Sequence, residues 1–142
     1  MIKDLSPDDY STWRDLWDQY LVFYGTTLSD AQTELTWSRL LDPLEPMNGF
    51  GAFDKDRLVG IAHFLTHRST WAENGYVYLE DLFVDPSARG GSYGRKLIEA
   101  TYAYADKGKL SRVYWATQND NVQARRLYDA LATESEFVQY RR

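Results

Sequence analysis

A chain of 142 residues that is 44% hydrophobic and 15% aromatic can bury the core of one compact domain, so residues 1–142 are expected to form a single unit. The absence of cysteine excludes disulfides and a thiol nucleophile, and two histidines give no convincing set of metal ligands, so no metal is expected. The net charge of −5 disfavours nucleic acid as a partner, and without an apolar run of about 20 residues or a signal-peptide pattern we expect a cytoplasmic protein that binds no membrane.

The first part of the chain predicts two helices. Ser6 and Pro7 are typical of a helix N-cap and first helical position, and apolar side chains then recur every three or four residues until Gly25 ends the helix. The positions on this stripe are Trp13, Leu16, Trp17, Tyr20 and Leu21. A second helix is predicted over residues 29–41, because the prolines that follow it break the chain.

The middle of the chain predicts three antiparallel strands, because the apolar period changes there to two. These strands cover residues 49–53, 58–67 and 76–84. A glycine-rich loop over residues 87–94 then leads into a helix over residues 95–107.

The last part of the chain predicts a further alternation of strand and helix. A strand is expected over residues 112–117, a helix over residues 121–131 and a closing strand over residues 136–140. Two helices, a meander of strands and then a strand–helix–strand unit favour an α/β fold. We therefore predict a three-layer α/β/α sandwich with a mixed, mostly antiparallel central sheet.

The loop over residues 87–94 has the properties of an anion site. Its small residues let the backbone approach a ligand with exposed N–H groups, and the positive end of the next helix dipole adds to Arg89, Arg95 and Lys96. The alternative is an ordinary connection in which Ser92 serves as an N-cap. The motifs of nucleotide hydrolases and of dinucleotide-binding dehydrogenases are absent, so those activities are not predicted.

Three separated segments, residues 78–84, the loop that begins at Arg89, and residues 121–128, together resemble the GNAT superfamily of N-acetyltransferases. The resemblance covers roughly residues 50–140 and is closest to the branch of spermidine/spermine and small yeast-type acetyltransferases. Ser92 stands where the family usually has the first glycine of its loop signature.

The resemblance implies acetyl-CoA as cosubstrate. In the family the pantetheine arm pairs with the strand that ends at Val84, the loop binds the pyrophosphate, and an asparagine at the position of Asn121 contacts the cofactor. The residues implied to bind the cofactor are Leu82, Phe83, Val84, Arg89, Gly90, Gly91, Ser92, Tyr93, Gly94, Arg95 and Asn121.

Acetyl transfer to an amine needs a base, because an aliphatic amine with a pKa of about 10 is protonated at neutral pH. Glu80 and Asp81 lie beside the presumed acetyl site, and successive strand residues point to opposite faces unless a bulge intervenes. We predict Glu80 as the base, on one face with Tyr78 and Leu82, since the resemblance places a base-like glutamate there. The alternative is a strand-edge carboxylate bonded to a loop. Asp81 is predicted to have a structural role.

The candidate acid is Tyr128, seven residues after Asn121. On a helix this spacing places both residues on one face, and a phenol can protonate a departing thiolate. The resemblance places the family's acid at this position, and the alternative is a packing residue. Tyr20 and Tyr24 are predicted to contact the substrate, because aromatic rings bind an alkylammonium group through cation–π contacts.

These predictions describe an N-acetyltransferase that transfers acetyl from acetyl-CoA to a primary amine of a small molecule, such as a polyamine, diamine or amino acid, by direct attack in a ternary complex. The alternatives are a protein-lysine acetyltransferase and a non-catalytic CoA-binding sensor. The five tryptophans and eleven tyrosines, together with the resemblance, also predict a homodimer.

Overall fold

A mixed five-stranded sheet forms the centre of the computed structural model, which describes all 142 residues. The strands lie side by side in chain order, and only the last pair is parallel. They are β1 (Ile2–Asp4), β2 (Met47–Asp54), β3 (Arg57–Ser69), β4 (Ala72–Val84) and β5 (Val113–Tyr114).

Four α-helices cover the sheet: α1 (Tyr10–Phe23), α2 (Asp30–Leu41), α3 (Tyr93–Lys107) and α4 (Val122–Leu131). A short 3-10 turn at Pro7–Asp9 precedes α1, and a second at Pro86–Ala88 follows β4. The helix boundaries predicted from the sequence differ by one or two residues from those of α2, α3 and α4, as is usual at frayed helix ends. None of the helices combines the length and apolar character that a membrane span requires.

The helices form two layers on opposite faces of the sheet, each with its own core. On one face, Trp13, Trp17 and Leu40 of α1 and α2 pack against Ile61 and Phe83 of the sheet. The opposite core contains Ala52, Val59, Ala62, Phe64, Val77, Leu79, Leu97, Ile98 and Ala105, with Leu127 and Tyr128 of α4 packed against it. The predicted three-layer α/β/α sandwich is confirmed.

The strand predicted over residues 136–140 is wrong. This segment has no regular secondary structure, and Phe137, Val138 and Tyr140 are 86%, 77% and 91% exposed. The strand predicted over residues 112–117 is also reduced, to two residues. An alternating pattern forms a strand only when a neighbour pairs with its backbone, and the edge strand β5 is only two residues long.

A bulge in β4 places an extra residue opposite β3. His63 pairs with Asp81 and the next residue, Phe64, pairs with Leu79, so Glu80 has no partner of its own. Leu79 and Leu82 both pack on the face of the sheet that α3 covers. Because of the bulge, the two residues between them, Glu80 and Asp81, both lie on the opposite face. The prediction that Glu80 shares a face with Leu82 is therefore wrong.

Candidate active site

A cleft of about 390 Å³ lies between the end of α1, the end of β4, the glycine-rich loop and the start of α4. Nearly all residues that the resemblance implies for the cofactor line it. They are Leu82, Phe83, Val84, Arg89, Gly90, Ser92, Tyr93, Gly94, Arg95 and Asn121, and both Tyr24 and Tyr128 line the cleft as well. Gly91 does not line it, and neither do Tyr20 and Glu80.

The start of α3 presents free backbone donors to this cleft. The first N–H groups of a helix have no partner within the helix, and no side chain caps α3, although Ser92 occupies the N-cap position. Ser92 adopts a left-handed conformation with φ 62°, and Gly90 has φ 94°. A serine tolerates this region less well than glycine, which accounts for the glycine usual in the family. The uncapped amides, with Arg89 and Arg95 on the cleft wall, fit a phosphate group.

The end of β4 offers a second set of free backbone groups. β4 pairs with β5 only at Val77 and Tyr78, so the rest of β4 up to Val84 has no strand partner on that edge. Leu82, Phe83 and Val84 pair with β3 along one edge and line the cleft with the other. An extended amide-bearing chain such as pantetheine can hydrogen-bond to a strand edge of this kind.

Asn121 lies at the N-cap of α4 rather than inside the helix. Its side-chain oxygen accepts from the backbone N–H of Ala124 at 3.4 Å, and its amide donates to Thr117 Oγ1 at 3.3 Å. Asparagine is a favoured N-cap residue, and α4 begins only at Val122. The prediction that Asn121 and Tyr128 lie on one helix face therefore counted a residue that is outside the helix. Both residues nevertheless line the cleft.

Tyr128 packs its ring against Trp115, with the ring centroids 5.4 Å apart. Burial, and secondarily the neighbouring Tyr24, raise the pKa of Tyr128 to about 12. The phenol therefore keeps its proton throughout the neutral range. A protonated phenol at the wall of the cleft is chemically able to act as an acid.

Beside the cleft, a chain of hydrogen bonds links the core to β4, and the sequence did not predict it. The indole N–H of Trp13 donates to His63 Nε2 at 2.9 Å, and His63 Nδ1 lies 2.9 Å from Asp81 Oδ2. Tyr20 donates its hydroxyl hydrogen to Asp81 Oδ1 at 2.6 Å. Tyr20, predicted to contact the substrate, thus binds a carboxylate of the protein. A histidine within the apolar strand β3 was the only signal of this chain in the sequence.

Glu80 and Asp81 are adjacent on β4, and the charge of Asp81 acts on the ionisation of Glu80. Burial of the Glu80 carboxyl group, and then the negative charge of Asp81, raise the pKa of Glu80. The pKa of Tyr20 is raised by its own burial and by Asp81, and Tyr78 is affected in the same direction by burial and by Glu80. The structure therefore brings two carboxylates and two neutral phenols together next to the cleft.

Residues 10–132 of the chain match the acetyltransferase (GNAT) family. The chain belongs to this family. It is 35% identical over 144 residues to the D-amino-acid N-acetyltransferase HPA3 of Saccharomyces cerevisiae, covering 100% of this chain and 89% of that protein. The chain is thus an acetyl-CoA-dependent N-acetyltransferase by family.

Solved structures of other acetyltransferases share the fold of the chain. A probable acetyltransferase superposes with a TM-score of 0.86 at 20% identity, covering 99% of this chain and 95% of the other. The aminoglycoside acetyltransferase AAC(6')-Iy, in complex with a bisubstrate analogue of CoA and acetylneamine, superposes with a TM-score of 0.82 at 20% identity, covering 100% and 96%. At this identity the similarity concerns the fold alone. No group of three or more His, Asp or Glu side chains is arranged to hold a metal ion.

Proposed function

We propose that the protein acetylates the primary amine of a small molecule, with acetyl-CoA bound in the cleft. The observation that carries the proposal is the position of the uncapped α3 N-terminus and the free β4 edge in one cleft with Tyr128. Leu82, Phe83 and Val84 would hold the pantetheine arm, and the loop from Arg89 to Arg95 would hold the pyrophosphate. The similarity to a D-amino-acid N-acetyltransferase supports an amino acid among the candidate acceptors.

The proposed reaction needs a base for the amine and an acid for the sulfur. Acetyl-CoA supplies the acetyl thioester. Glu80, whose raised pKa favours proton uptake, takes a proton from the substrate ammonium, directly or through water, so that the nitrogen can form its bond to the acetyl carbon. Tyr128 gives its proton to the sulfur as the carbon–sulfur bond breaks. The acylated nitrogen then gives up its second proton, which restores the Tyr128 phenol, and Glu80 releases the first proton to water. Tyr24 on the cleft wall, and Tyr20 next to it, would face the amine.

The experiment that tests this function is CoA release from acetyl-CoA with a panel of amines. The panel contains polyamines, diamines, D- and L-amino acids, and a lysine-containing peptide. Turnover of one of the small amines well above that of the peptide supports the proposal. Preference for the peptide would indicate a protein-lysine acetyltransferase, and CoA binding with no turnover on any amine would indicate a sensor. The cytoplasmic location stays a prediction.

CoA or acetyl-CoA should raise the melting temperature far more than NAD or ATP, because only CoA joins a pyrophosphate for the loop to a pantetheine arm for the free edge of β4. A ligand that binds only the native state stabilises it by RT ln(1 + [L]/Kd), about 2.7 kcal/mol at a hundredfold excess over Kd. The measurement is a thermal scan at millimolar ligand. An unchanged melting temperature with CoA would contradict the cofactor assignment.

We also propose that the protein is a homodimer. The tail after α4 exposes Phe137, Val138 and Tyr140, and a second copy of the chain can cover such apolar side chains. Light scattering should give about twice the chain mass of 16.5 kDa, and removal of residues 136–142 should lower it. A mass of 16.5 kDa throughout the micromolar range would reject the dimer.

A further inference from the structure

The hydrogen bonds of His63 fix the positions of its protons. An indole N–H can only donate, so His63 Nε2 accepts from Trp13 and carries no proton itself. The other ring nitrogen, Nδ1, therefore carries the proton and donates it to Asp81. The imidazole is neutral in this arrangement. Asp81 accepts one hydrogen bond on each carboxylate oxygen, from His63 and from Tyr20.

Burial keeps this chain of hydrogen bonds intact. Trp13 is completely buried and His63 is 2% exposed, so water cannot replace the bonds between them. The Asp81 side chain is 13% exposed, at the boundary between the core and the cleft side. A carboxylate that accepts two hydrogen bonds in such surroundings is held in one orientation.

The orientation matters because of the bulge in β4. Without the extra residue, Glu80 and Asp81 would point to opposite faces of the sheet. Leu79 before them and Leu82 after them both pack on the α3 face, while Asp81 bonds to Tyr20 of α1. The charge of Asp81 is therefore a close neighbour of Glu80 on the α1 face.

We propose that Trp13 and His63 are positioning residues that act through Asp81, holding its carboxylate in one orientation beside Glu80. The inference rests on the proposed function, in which Glu80 takes the proton of the amine. A fixed negative charge next to Glu80 opposes its ionisation and makes it a stronger base. The raised pKa of Glu80, caused first by burial and then by Asp81, agrees with this role.

The groups that face Glu80 are Asp81 of β4, His63 of β3, Tyr20 of α1 and Tyr78 of β4. His63 is neutral in the bonded tautomer, and the raised pKa values of both tyrosines keep them neutral near pH 7. Among these groups, the charge of Asp81 raises the pKa of Glu80, whereas a positive charge on His63 would lower it.

The same core provides a matched control. The indole N–H of Trp17 donates to Thr33 Oγ1 at 3.3 Å, also in a buried position, and this bond leads to no carboxylate. Thr33→Val and His63→Phe each remove the acceptor of a buried indole N–H. Only the second also removes a donor from Asp81. A purely structural role of His63 predicts similar behaviour of the two variants.

The first measurement is the pH dependence of kcat at saturating amine and acetyl-CoA. His63→Phe should move the acid limb to lower pH by roughly half a unit, less than Asp81→Asn does, because an Asp81 carboxylate that is no longer held in place opposes the ionisation of Glu80 less. Asp81→Asn should move the limb to lower pH, because Glu80 loses its charged neighbour. Thr33→Val should leave the limb in place. His63→Gln, which can both accept from Trp13 and donate to Asp81, should restore it.

The second measurement needs no catalysis and so separates this inference from the proposed function. Nitrogen-15 NMR of the ligand-free protein should show His63 protonated on Nδ1 and not on Nε2, and carbon-13 NMR should follow the titration of Glu80. A proton on Nε2, or a Glu80 titration that Asp81→Asn leaves unmoved, would overturn the inference even if His63→Phe fails to fold. Absence of acetylation with normal NMR results would instead contradict the proposed function.

Discussion

Replacement of Tyr128 by phenylalanine is expected to lower kcat at least tenfold and to leave the Kd of CoA within a few-fold of its original value. The ring that packs against Trp115 remains, so the variant should fold. A positioned acid contributes about 10²- to 10⁴-fold, or roughly 3 to 5 kcal/mol of barrier. A thiolate leaves fairly well without a proton, so the lower end of that range is expected. The hydroxyl acts in the transition state, which is why kcat should fall while CoA binding should not.

Tyr102→Phe is the matched control for this experiment. Tyr102 of α3 packs against the core on the same face of the sheet as Tyr128. Its hydroxyl donates to the carbonyl oxygen of Leu131 at 3.0 Å, away from the cleft. Its loss should cost about 1 kcal/mol of stability without changing kcat. If Tyr128→Phe turns over at the original rate while chemistry limits, Tyr128 is a packing residue and another group supplies the proton.

Gly94→Asp is expected to weaken CoA binding by roughly tenfold or more, or about 1.4 kcal/mol, relative to Gly108→Asp. Gly94 lines the cleft at the start of α3, so the new carboxylate would repel the phosphates there. A Cβ at Gly94 would lie 3.3 Å from Leu127 Cδ2, a side-chain atom that can shift. At Gly108 a Cβ would lie 3.5 Å or more from its neighbours, at the opposite end of the same helix.

Isothermal titration with CoA measures this difference, and thermal unfolding checks that both variants are folded. Gly94→Asn separates charge from bulk, because it adds a side chain of similar size without the negative charge. The excess effect of Asp over Asn should shrink at high salt. Equal CoA affinities of Gly94→Asp and Gly108→Asp, with both proteins folded, would mean that the loop is a connection and binds no phosphate.

The sequence was sufficient to predict the elements whose pattern is local. The stripe of α1, the glycine-rich loop and the meander of strands all depend on spacing within a dozen residues, and each was predicted near its observed place. The tail over residues 136–140 shows the limit of such patterns. Its alternation resembles a strand, but pairing depends on a distant neighbour that β5, with two residues, does not provide.

The candidate site likewise contains residues that a local sequence pattern indicates and residues that only the folded chain brings together. The loop and β4 residues that line the cleft are contiguous in sequence, so a motif could indicate them. The bulge at Glu80 depends on pairing with β3, and the contacts of Asp81 join residues 18 and 61 positions apart. No local spacing encodes such contacts. For this reason Asp81 was predicted to have only a structural role. The structure shows that it bonds to Tyr20 and His63 beside the cleft.

The arrangement of the indole rings gives each face of the sheet its own optical signal. Trp13 and Trp17 lie nearly parallel, with centroids 5.9 Å apart and planes at 9°, and Trp37 lies 4.6 Å from Trp13. Coupled rings in one fixed chiral arrangement dominate near-ultraviolet circular dichroism, which is lost when side-chain packing is lost. Trp115 lies on the opposite face, packed against Tyr128. Dichroism thus follows the melting of the α1 layer, whereas the fluorescence of a variant that keeps only Trp115 follows the other layer. Coincidence of the two curves is a direct test of whether the layers unfold as one cooperative unit.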